Sequence, residues 1–440
     1  MARILLISEN TRTAPYPVYP TGMAIIADAL TQGGHRVRQY DLLFPSCPLP
    51  SVLETFRPDI VGISVRNVDS SNSLETEDDG AIRQLNELVQ SIRQHSSAKI
   101  LLGGTGFSVM PQEMLLATGA EAGIVGPGEG VICEEVEKLL KGTAESASVR
   151  FGRFEPSAIP SMDMALARLY QEAGGILGLM TKRGCTHRCA YCVYPQMDGR
   201  QFRPYDPQKI VAHIKELEER AGTERIFFTD SVFNDANGYA VALAREMVRQ
   251  KTKVRFTAYF SPANMDLRQL ELFQKAGLGA IELGTDASTD ATLAGLGKSF
   301  RFAQVEAFQE ACTALKIPCA HFVIFGGPNE TPQTLGEGLK NMERLPNCVV
   351  IAFSGVRVYR GTSLHERAVR EGKISSDADL VNPFYYFSDS IDIPEINAHI
   401  TAAFRGWRDR IFPPHQVDEI TATLRRLGIK NVHWDSLIHF

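Results

Sequence analysis

Hydrophobic positions in the first third of the chain form short runs, each followed by a polar or amphipathic stretch. The runs lie at residues 4–7, 37–40, 60–65, 100–102 and 122–125, and helical patterns occupy 22–32 and 81–94. Apolar strands that alternate with helices are typical of a parallel sheet covered by helices on both faces. The pattern predicts an α/β domain over residues 1–145, with ligands at the carboxyl ends of its strands.

The same alternation returns after residue 175. Six strand-like runs lie at 176–181, 225–229, 254–259, 280–283, 321–325 and 349–353, and helical patterns at 207–220, 238–250 and 303–315. They predict a second α/β domain over 175–365. Residues 146–174 lack a clear period and contain Gly and Pro, which marks a linker. Residues 366–440 follow as a small, mainly helical C-terminal capping segment.

Length, composition and charge narrow the class of protein. A chain of 440 residues exceeds one ordinary hydrophobic core and predicts two or three domains. A net charge of −5 without a long basic run argues against nucleic acid as a partner. No apolar stretch approaches the roughly 20 residues that cross a bilayer, so we expect no transmembrane segment. The first apolar run is too short for a signal peptide, and we predict a cytoplasmic protein.

Three of the eight cysteines stand close together, directly after the first strand of the second half. Cys185, Cys189 and Cys192 have the spacing CxxxCxxC. Three thiolates can hold three irons of a four-iron, four-sulfur cluster and leave the fourth iron without a protein ligand. The alternatives are chance clustering or a zinc knuckle. A zinc site usually needs a fourth close ligand, and the nearest candidate, His187, lies inside the motif.

The stretch 182–192, including Tyr191 before the third cysteine, closely resembles the radical SAM family. The resemblance implies that the open iron binds the amino and carboxylate groups of S-adenosylmethionine (SAM). Reductive cleavage of SAM would then release a 5′-deoxyadenosyl radical. The resemblance further implies a six-stranded (β/α)6 partial TIM barrel over 175–365 and an external electron donor of the flavodoxin or ferredoxin type.

The first half resembles the Rossmann-like cobalamin-binding domain that precedes the radical SAM domain in one large subfamily. The matching segments are 19–22, 34–37, 59–64, 103–104 and 126–130. The resemblance implies cobalamin as a further cofactor, bound by seven residues of the post-strand loops: Ser64, Val65, Gly103, Gly104, Gly126, Gly128 and Glu129. Glycines in such loops let the backbone approach a large flat ligand closely.

Two features depart from the usual cobalamin pattern. The D-x-H-x-x-G motif that supplies a histidine to cobalt is missing, and His35 is better interpreted as a surface residue of a helix–strand turn. The lower face of cobalt therefore stays unassigned. The loop 66–72 is also polar where cobalamin binders often have small residues. An inherited scaffold that has lost cobalamin is the alternative.

Other post-strand loops of the second domain supply candidate SAM contacts, beside Tyr191. Asp230 and Ser231 follow the second strand, where relatives carry a turn that contacts the methionyl amino group; a helix cap is the alternative. Glu282 and Asp286 end the fourth strand and are candidates for the ribose hydroxyls or the substrate. Lys298 is expected to pair with a carboxylate. No catalytic residue is assigned.

The leading hypothesis is a cobalamin-dependent radical SAM enzyme that transfers a methyl group to an unactivated carbon of a metabolite, lipid or peptide. The second hypothesis is a radical SAM enzyme with a non-functional cobalamin domain that catalyses dehydration, cyclisation or rearrangement. A third is a noncatalytic cobalamin or iron–sulfur sensor. The intact cysteine loop on a full set of strands argues against the third.

Overall fold

The structure is a computed structural model that describes residues 1–75, 80–145, 147–156, 161–263, 265–429 and 434–438. Two parallel sheets follow one another along the chain. Strands of the first part are β1 (Arg3–Ser8), β2 (Arg36–Asp41), β3 (Ile60–Ser64), β4 (Lys99–Gly103), β5 (Ala122–Val125) and β6 (Ser148–Phe151). Its helices are α1 (Thr21–Gln32), α2 (Leu49–Phe56), α3 (Ala81–His95), α4 (Thr105–Val109), α5 (Pro111–Thr118) and α6 (Ile132–Lys141).

The six strands of the first sheet are all parallel and lie in the order β2-β1-β3-β4-β5-β6. Successive side chains of β1 point to opposite faces, so Leu5 and Ile7 join one hydrophobic cluster while Ile4 and Leu6 join another. Both faces are covered by helices, as the continuous apolar runs predict. The order reverses between β1 and β3, which places a ligand crevice at their carboxyl ends.

The second part begins with a helix and ends in short elements. Its strands are β7 (Leu177–Leu179), β8 (Lys182–Arg183), β9 (Arg203–Pro204), β10 (Arg225–Phe228), β11 (Arg255–Phe260), β12 (Leu278–Asp286), β13 (Cys319–Phe325), β14 (Val349–Ser354), β15 (Val356–Arg357), β16 (Tyr385–Tyr386) and β17 (Arg410–Ile411). Its helices are α7 (Met164–Gly174), α8 (Tyr194–Asp198), α9 (Pro207–Ala221), α10 (Tyr239–Gln250), α11 (Gln269–Lys275), α12 (Asp290–Gly295), α13 (Phe302–Ala314), α14 (Pro332–Arg344), α15 (Ser363–Arg370), α16 (Ile393–Phe404), α17 (Gln416–Arg426) and a 3-10 helix, Trp434–Leu437.

Seven of these strands form one parallel sheet in the order β7-β10-β11-β12-β13-β14-β17. Its outer face packs against the helices. The inner face carries a separate cluster that includes Phe227, Ile351 and Ile411 together with Trp434 of the C-terminal segment. This is the predicted open partial barrel, with its interior closed from one side by the end of the chain. No helix of the described residues is both long and apolar enough to cross a membrane.

The local sequence fixes several helix ends. Asp206 caps α9 by accepting the Gln208 N–H at 2.7 Å, and Pro207 occupies the first turn. Gly222, with φ +66°, ends the same helix in the left-handed conformation. The observed helix differs from the predicted one, 207–220, by a single residue.

Two strands of the parallel sheets were not predicted from the sequence, and neither were the short antiparallel pairs β8–β9 and β15–β16. Strand β6 falls inside the predicted linker 146–174 and extends the first sheet; its Ser-Val-Arg-Phe sequence is short and only partly buried, so it lacks the apolar signal of an inner strand. The same linker also holds α7. Strand β17 is a two-residue edge strand that no periodic pattern indicates. Residues 157–160 of the predicted linker lie outside the described part of the chain.

Candidate active site

Short elements shape the loop that carries the predicted cluster cysteines. Strand β7 leads into the antiparallel pair of β8 and β9, which closes the base of the loop. Gly184, with φ +84°, passes the backbone of Gln201 so closely that an added Cβ would lie 2.0 Å from the carbonyl oxygen. A side chain at position 184 would therefore displace the cysteine loop.

Two of the three predicted cluster thiols, those of Cys185 and Cys192, have a raised pKa. Burial raises the pKa of Cys185, and it raises the pKa of Cys192 to about 12, with neighbouring thiols adding to both shifts. Thiols bind iron as thiolates, so assembly of a cluster here releases protons. Among the described residues, no three His, Cys, Asp or Glu side chains are arranged as a single-ion site.

A cavity of about 390 Å³ opens in front of the cysteine loop. Cys189 and Cys192 line it together with two basic residues, Arg188 and Arg200. Thiols and guanidinium groups at one cavity suit an iron–sulfur cluster and the carboxylate of SAM, because arginine pairs well with carboxylates. The residues present thus fit the two cofactors that the cysteine spacing implies.

Tyr191 and Asp286, two of the predicted SAM contacts, meet beside the cysteines. The Tyr191 hydroxyl donates to Asp286 Oδ2 at 2.6 Å, and Lys298 Nζ forms an ion pair with the same carboxylate. Lys298 Nζ also lies 3.3 Å from Cys189 Sγ. Burial alone would lower the pKa of Lys298, but its neighbours, Asp286 foremost and then Tyr191 and Cys189, together outweigh burial and raise that pKa well above its usual value. The expected Lys298–carboxylate pair is present, and it holds a positive charge beside the cysteine loop.

Asp230 is placed differently from its predicted role. Its side chain is fully buried and accepts hydrogen bonds from the backbone N–H groups of Thr181 (2.7 Å) and Lys182 (3.1 Å). Lys182 Nζ completes the set at 3.2 Å from Asp230 Oδ2. These donors occupy the carboxylate from inside the protein, so the geometry favours anchoring of the strand that enters the cysteine loop over contact with the SAM ammonium. Asp230 does not cap a helix either, which was the alternative role predicted for it. Ser231 is half-buried next to it.

Glu282 also lies apart from the other predicted SAM contacts. It precedes Asp286 by four residues on β12, a separation of about 13 Å along an extended strand. Its Oε1 accepts a hydrogen bond from the Trp434 indole N–H at 3.2 Å. Glu282 therefore lies deep in the barrel, and Asp286 lies at the mouth beside the cysteines.

In the first domain, four of the predicted cobalamin residues lie together at the ends of β3 and β4. The Val65 N–H donates to the Gly103 carbonyl at 2.8 Å, directly after Ser64. Gly104, with φ +95°, approaches so closely that an added Cβ would lie 2.3 Å from the Val65 carbonyl oxygen. The backbones of Val65 and Gly104 thus lie against each other and form a ledge, with the Val65 side chain buried.

The crevice at the strand reversal contains a cavity of about 200 Å³. Asn10, Val65 and Asn67 are among its lining residues. Asn10 Nδ2 is buried without a hydrogen-bond partner in the structure, although a buried amide donor is nearly always paired. Carboxamide and phosphate groups of a corrinoid are hydrogen-bond acceptors, so the ledge and this orphaned donor fit cobalamin.

The remaining predicted cobalamin residues have protein neighbours. Gly126 lies against the Met197 carbonyl, where an added Cβ would be at 2.5 Å, and Gly128 lies against Ile26. Glu129 Oε1 is 3.8 Å from Arg183 Nε, just before the first cysteine. Gly126 and Glu129 thus contact the flanks of the cysteine loop, so their geometry supports domain docking. A cobalamin contact for them stays a prediction.

The polar loop 66–72, which raised the alternative of a lost cofactor, also has protein partners. Asp69 Oδ2 accepts from Arg357 Nε at 2.8 Å, with only 7% and 3% of the two side chains exposed. The Ser73 hydroxyl donates to the Ser354 carbonyl at the end of β14. The polar residues dock this loop on the barrel, which removes the reason for that alternative. Sequence reasoning missed this pair, because 288 residues separate its members.

Asp69→Ala is expected to weaken the docking of the two halves by about 2 kcal/mol, because it leaves a buried guanidinium without its carboxylate. The two carbonyl bonds that Arg357 retains keep the loss moderate. A fall in Tm together with faster proteolysis between the halves would show this. The control is Glu137→Ala, which breaks the exposed pair with Lys141 and should change stability by less than about 1 kcal/mol. Equal effects of both variants would contradict the prediction.

The comparisons with known proteins agree with this architecture. The family model of the Radical SAM superfamily matches residues 179–341, and that of the B12 binding domain matches residues 8–135. Tryptophan 2-C-methyltransferase of Streptomyces laurentii is 24% identical over 427 residues, covering 78% of this chain and 70% of that protein. Hopanoid C-3 methylase of Methylococcus capsulatus is 23% identical over 290 residues, covering 61% and 53%.

Two solved structures share the fold over nearly the whole chain. TsrM of Kitasatospora setae, a radical SAM methyltransferase solved with cobalamin and a [4Fe-4S] cluster, matches with a TM-score of 0.84 at 22% identity, covering 99% of this chain and 97% of that one. OxsB, a cobalamin-dependent SAM radical enzyme, matches with a TM-score of 0.72 at 15% identity, covering 97% and 72%. The predicted cofactors, a [4Fe-4S] cluster, SAM and cobalamin, are those of the two matched families. The chain therefore contains a B12 binding domain followed by a Radical SAM domain, the arrangement that its sequence predicts.

Proposed function

We propose that the protein is a cobalamin-dependent radical SAM methyltransferase that methylates a carbon atom of a small molecule. The observation that carries the proposal is the joint placement of the two cofactor regions. The backbone ledge at Val65 and Gly104 and the cysteine loop belong to domains that dock directly on each other, through Asp69–Arg357 and Glu129–Arg183. The names of the Streptomyces and Methylococcus relatives favour methyl transfer to carbon over other radical reactions.

Each part of the chain has a defined task in this reaction. When bound, the cluster and SAM supply a 5′-deoxyadenosyl radical, and cobalamin supplies the methyl group. Cys185, Cys189 and Cys192 hold the cluster, and Lys298 keeps a positive charge beside it. Asp230 fixes the strand that leads into the loop. The docked domains bring methyl donor and radical within one enclosed space, where fixed orientation and exclusion of water gain rate.

Turnover with methyl-labelled SAM tests the reaction class. We expect a product that carries the labelled methyl group, and consumption of two SAM per product, yielding S-adenosylhomocysteine and 5′-deoxyadenosine. Protein produced with ample corrinoid should retain it through purification and show a base-off spectrum, since no histidine motif supplies a lower ligand. Protein produced without corrinoid is the control and should form no methylated product.

Two outcomes would contradict the proposal. A product without an added methyl group, formed with 5′-deoxyadenosine alone, would exclude a methyltransferase. Full turnover by corrinoid-free protein would exclude cobalamin dependence. An electron donor of the flavodoxin or ferredoxin type and a cytoplasmic location stay predictions, and omission of the reduced donor from the assay tests the first of them.

A further inference from the structure

Accessible space, here called the chamber, remains inside the barrel at the inner face of β11. Tyr194 and Tyr259 are 41% and 42% exposed, which is unusual for residues beside the cysteine loop and on an inner strand. Burial nevertheless raises the pKa of Tyr194 to about 12 and that of Tyr259 well above its usual value. The Tyr259 ring meets Phe227 on the inner face of the sheet, so its accessible face looks into the barrel.

Residues from three parts of the chain face this chamber. The rings of Phe227 and Tyr259 meet edge to face at 5.0 Å, and Tyr16, from the loop after β1, lies 6.4 Å from Phe227. Burial raises the pKa of Tyr16, Tyr194 and Tyr259, and the Arg66 guanidinium acts on all three in the opposite direction. The loop after β1 thus reaches the barrel strands at the chamber, and the wall formed by Tyr16, Phe227 and Tyr259 is aromatic.

The 3-10 helix Trp434–Leu437 closes one end of the chamber. Trp434 packs among the inward-facing residues Phe227, Ile351 and Ile411 and donates its indole N–H to Glu282. Glu282 is 7% exposed, and its pKa reflects burial, the Trp434 bond and the Tyr259 hydroxyl, with no Lys or Arg of the described residues among the causes. A carboxyl group without a cation partner among aromatic rings is a strong acceptor for a donor that enters the chamber.

We propose that Glu282 positions the substrate by accepting a hydrogen bond from a ring N–H, and that the substrate is a planar aromatic nitrogen compound packed against Tyr259 and Phe227. The inference rests on the proposed methyl transfer and names its substrate class. The walls favour a flat ring through edge-to-face and offset contacts. The Glu282 carboxylate then determines which edge of the ring faces Trp434 and which carbon atom faces the cofactors. Of the two roles predicted for Glu282, contact with the ribose of SAM or with the substrate, the proposal selects the substrate.

Because Glu282 ionises, the strength of its hydrogen bond to the substrate is expected to depend on pH. Burial raises the pKa of Glu282 to about 7, so the carboxylate forms, and the bond to an N–H donor strengthens, as the pH rises from 6 to 8. Three other titratable groups interact with Glu282: Tyr16 on the first loop, Tyr259 on β11 and Cys319 on β13. Asp435 follows Trp434 on the 3-10 helix, where Arg225 and Arg255 act on it. Comparison with Glu282→Gln isolates the contribution of Glu282 from theirs.

Calorimetric binding to the anaerobic, cluster- and cobalamin-loaded enzyme tests the inference. The probes are L-tryptophan, the substrate that the name of the Streptomyces relative states, and 3-benzothienyl-L-alanine, in which sulfur replaces the ring N–H. At pH 8 we expect the wild type to bind tryptophan at least about tenfold more tightly than the sulfur analogue. Glu282→Met should reduce this ratio to about one. Glu282→Gln retains an acceptor for Trp434 and should lower the ratio and abolish its rise with pH.

The control is Glu135→Gln, another buried carboxyl, which pairs with Arg150 in the first domain and should keep the wild-type ratio. Retention of the ratio by both Glu282 variants would overturn the inference, as would failure of the wild type to bind tryptophan, tryptamine and indole. Binding is measured without turnover, so the two proposals fail separately. Methylation of a compound without a ring N–H would refute the substrate class alone, and selective binding without methyl transfer would refute the function alone.

Discussion

Replacement of Cys185, Cys189 and Cys192 together with alanine is expected to lower bound iron from about four per chain to background after anaerobic reconstitution. The same variant should lose all SAM cleavage and the SAM-dependent change in the reduced electron paramagnetic resonance signal. The reason is geometric, since the three thiols line one loop and leave one iron free for SAM. Iron analysis, resonance spectra and 5′-deoxyadenosine release measure the three effects.

The matched control removes cysteines outside the loop. Cys47 and Cys133 are free, half-buried thiols of the first domain, and their double replacement by alanine should leave iron content and SAM cleavage unchanged. Full iron loading of the triple variant would show that the cluster is held elsewhere in the chain.

Asp230→Ala is expected to destabilise the protein by about 3–5 kcal/mol, because it leaves the Lys182 ammonium, with 1% of its side chain exposed, unpaired in the barrel. It also removes the acceptor of two backbone N–H groups at the entrance to the cysteine loop. We expect a fall in Tm and incomplete iron incorporation in the same variant. Thermal unfolding and iron analysis of the reconstituted protein measure these effects.

The double variant Lys182→Met with Asp230→Leu distinguishes the two roles considered for Asp230. Apolar residues of similar size recover much of the stability lost when a buried pair is broken. If Asp230 acts through the loop, the double variant should regain iron and bind SAM with nearly the wild-type Kd. Restored stability and iron with a SAM Kd that stays raised tenfold or more would support the original prediction of direct SAM contact.

Much of the fold can be predicted from the sequence, because its signals are local. All six barrel strands lie where the apolar runs predict them, and α9 and α13 differ from their predicted bounds by one residue. Strands β6 and β17 carry no such signal, because they are short edge strands whose pairing depends on neighbours distant in the chain.

The site could be predicted only in part, for a physical reason. The cysteines lie on one loop, so their spacing alone indicates a cluster. Asp230, Glu282 and Asp286 all follow or end strands, and sequence position does not distinguish the barrel mouth from its depth. The partners that decide their roles are Lys182, Trp434 and Lys298. The Trp434–Glu282 bond spans 152 residues, so no local pattern contains it.

The position of Trp434 has a consequence for how the barrel folds during synthesis. A ribosome releases the chain from its N-terminus, so every strand of the barrel emerges before the segment that closes its interior. Until residues 434–438 arrive, the inner face of β13 and β14 and the carboxyl group of Glu282 lack this cover. The nascent protein thus passes through a stage with an open-ended barrel, and docking of this segment closes that end.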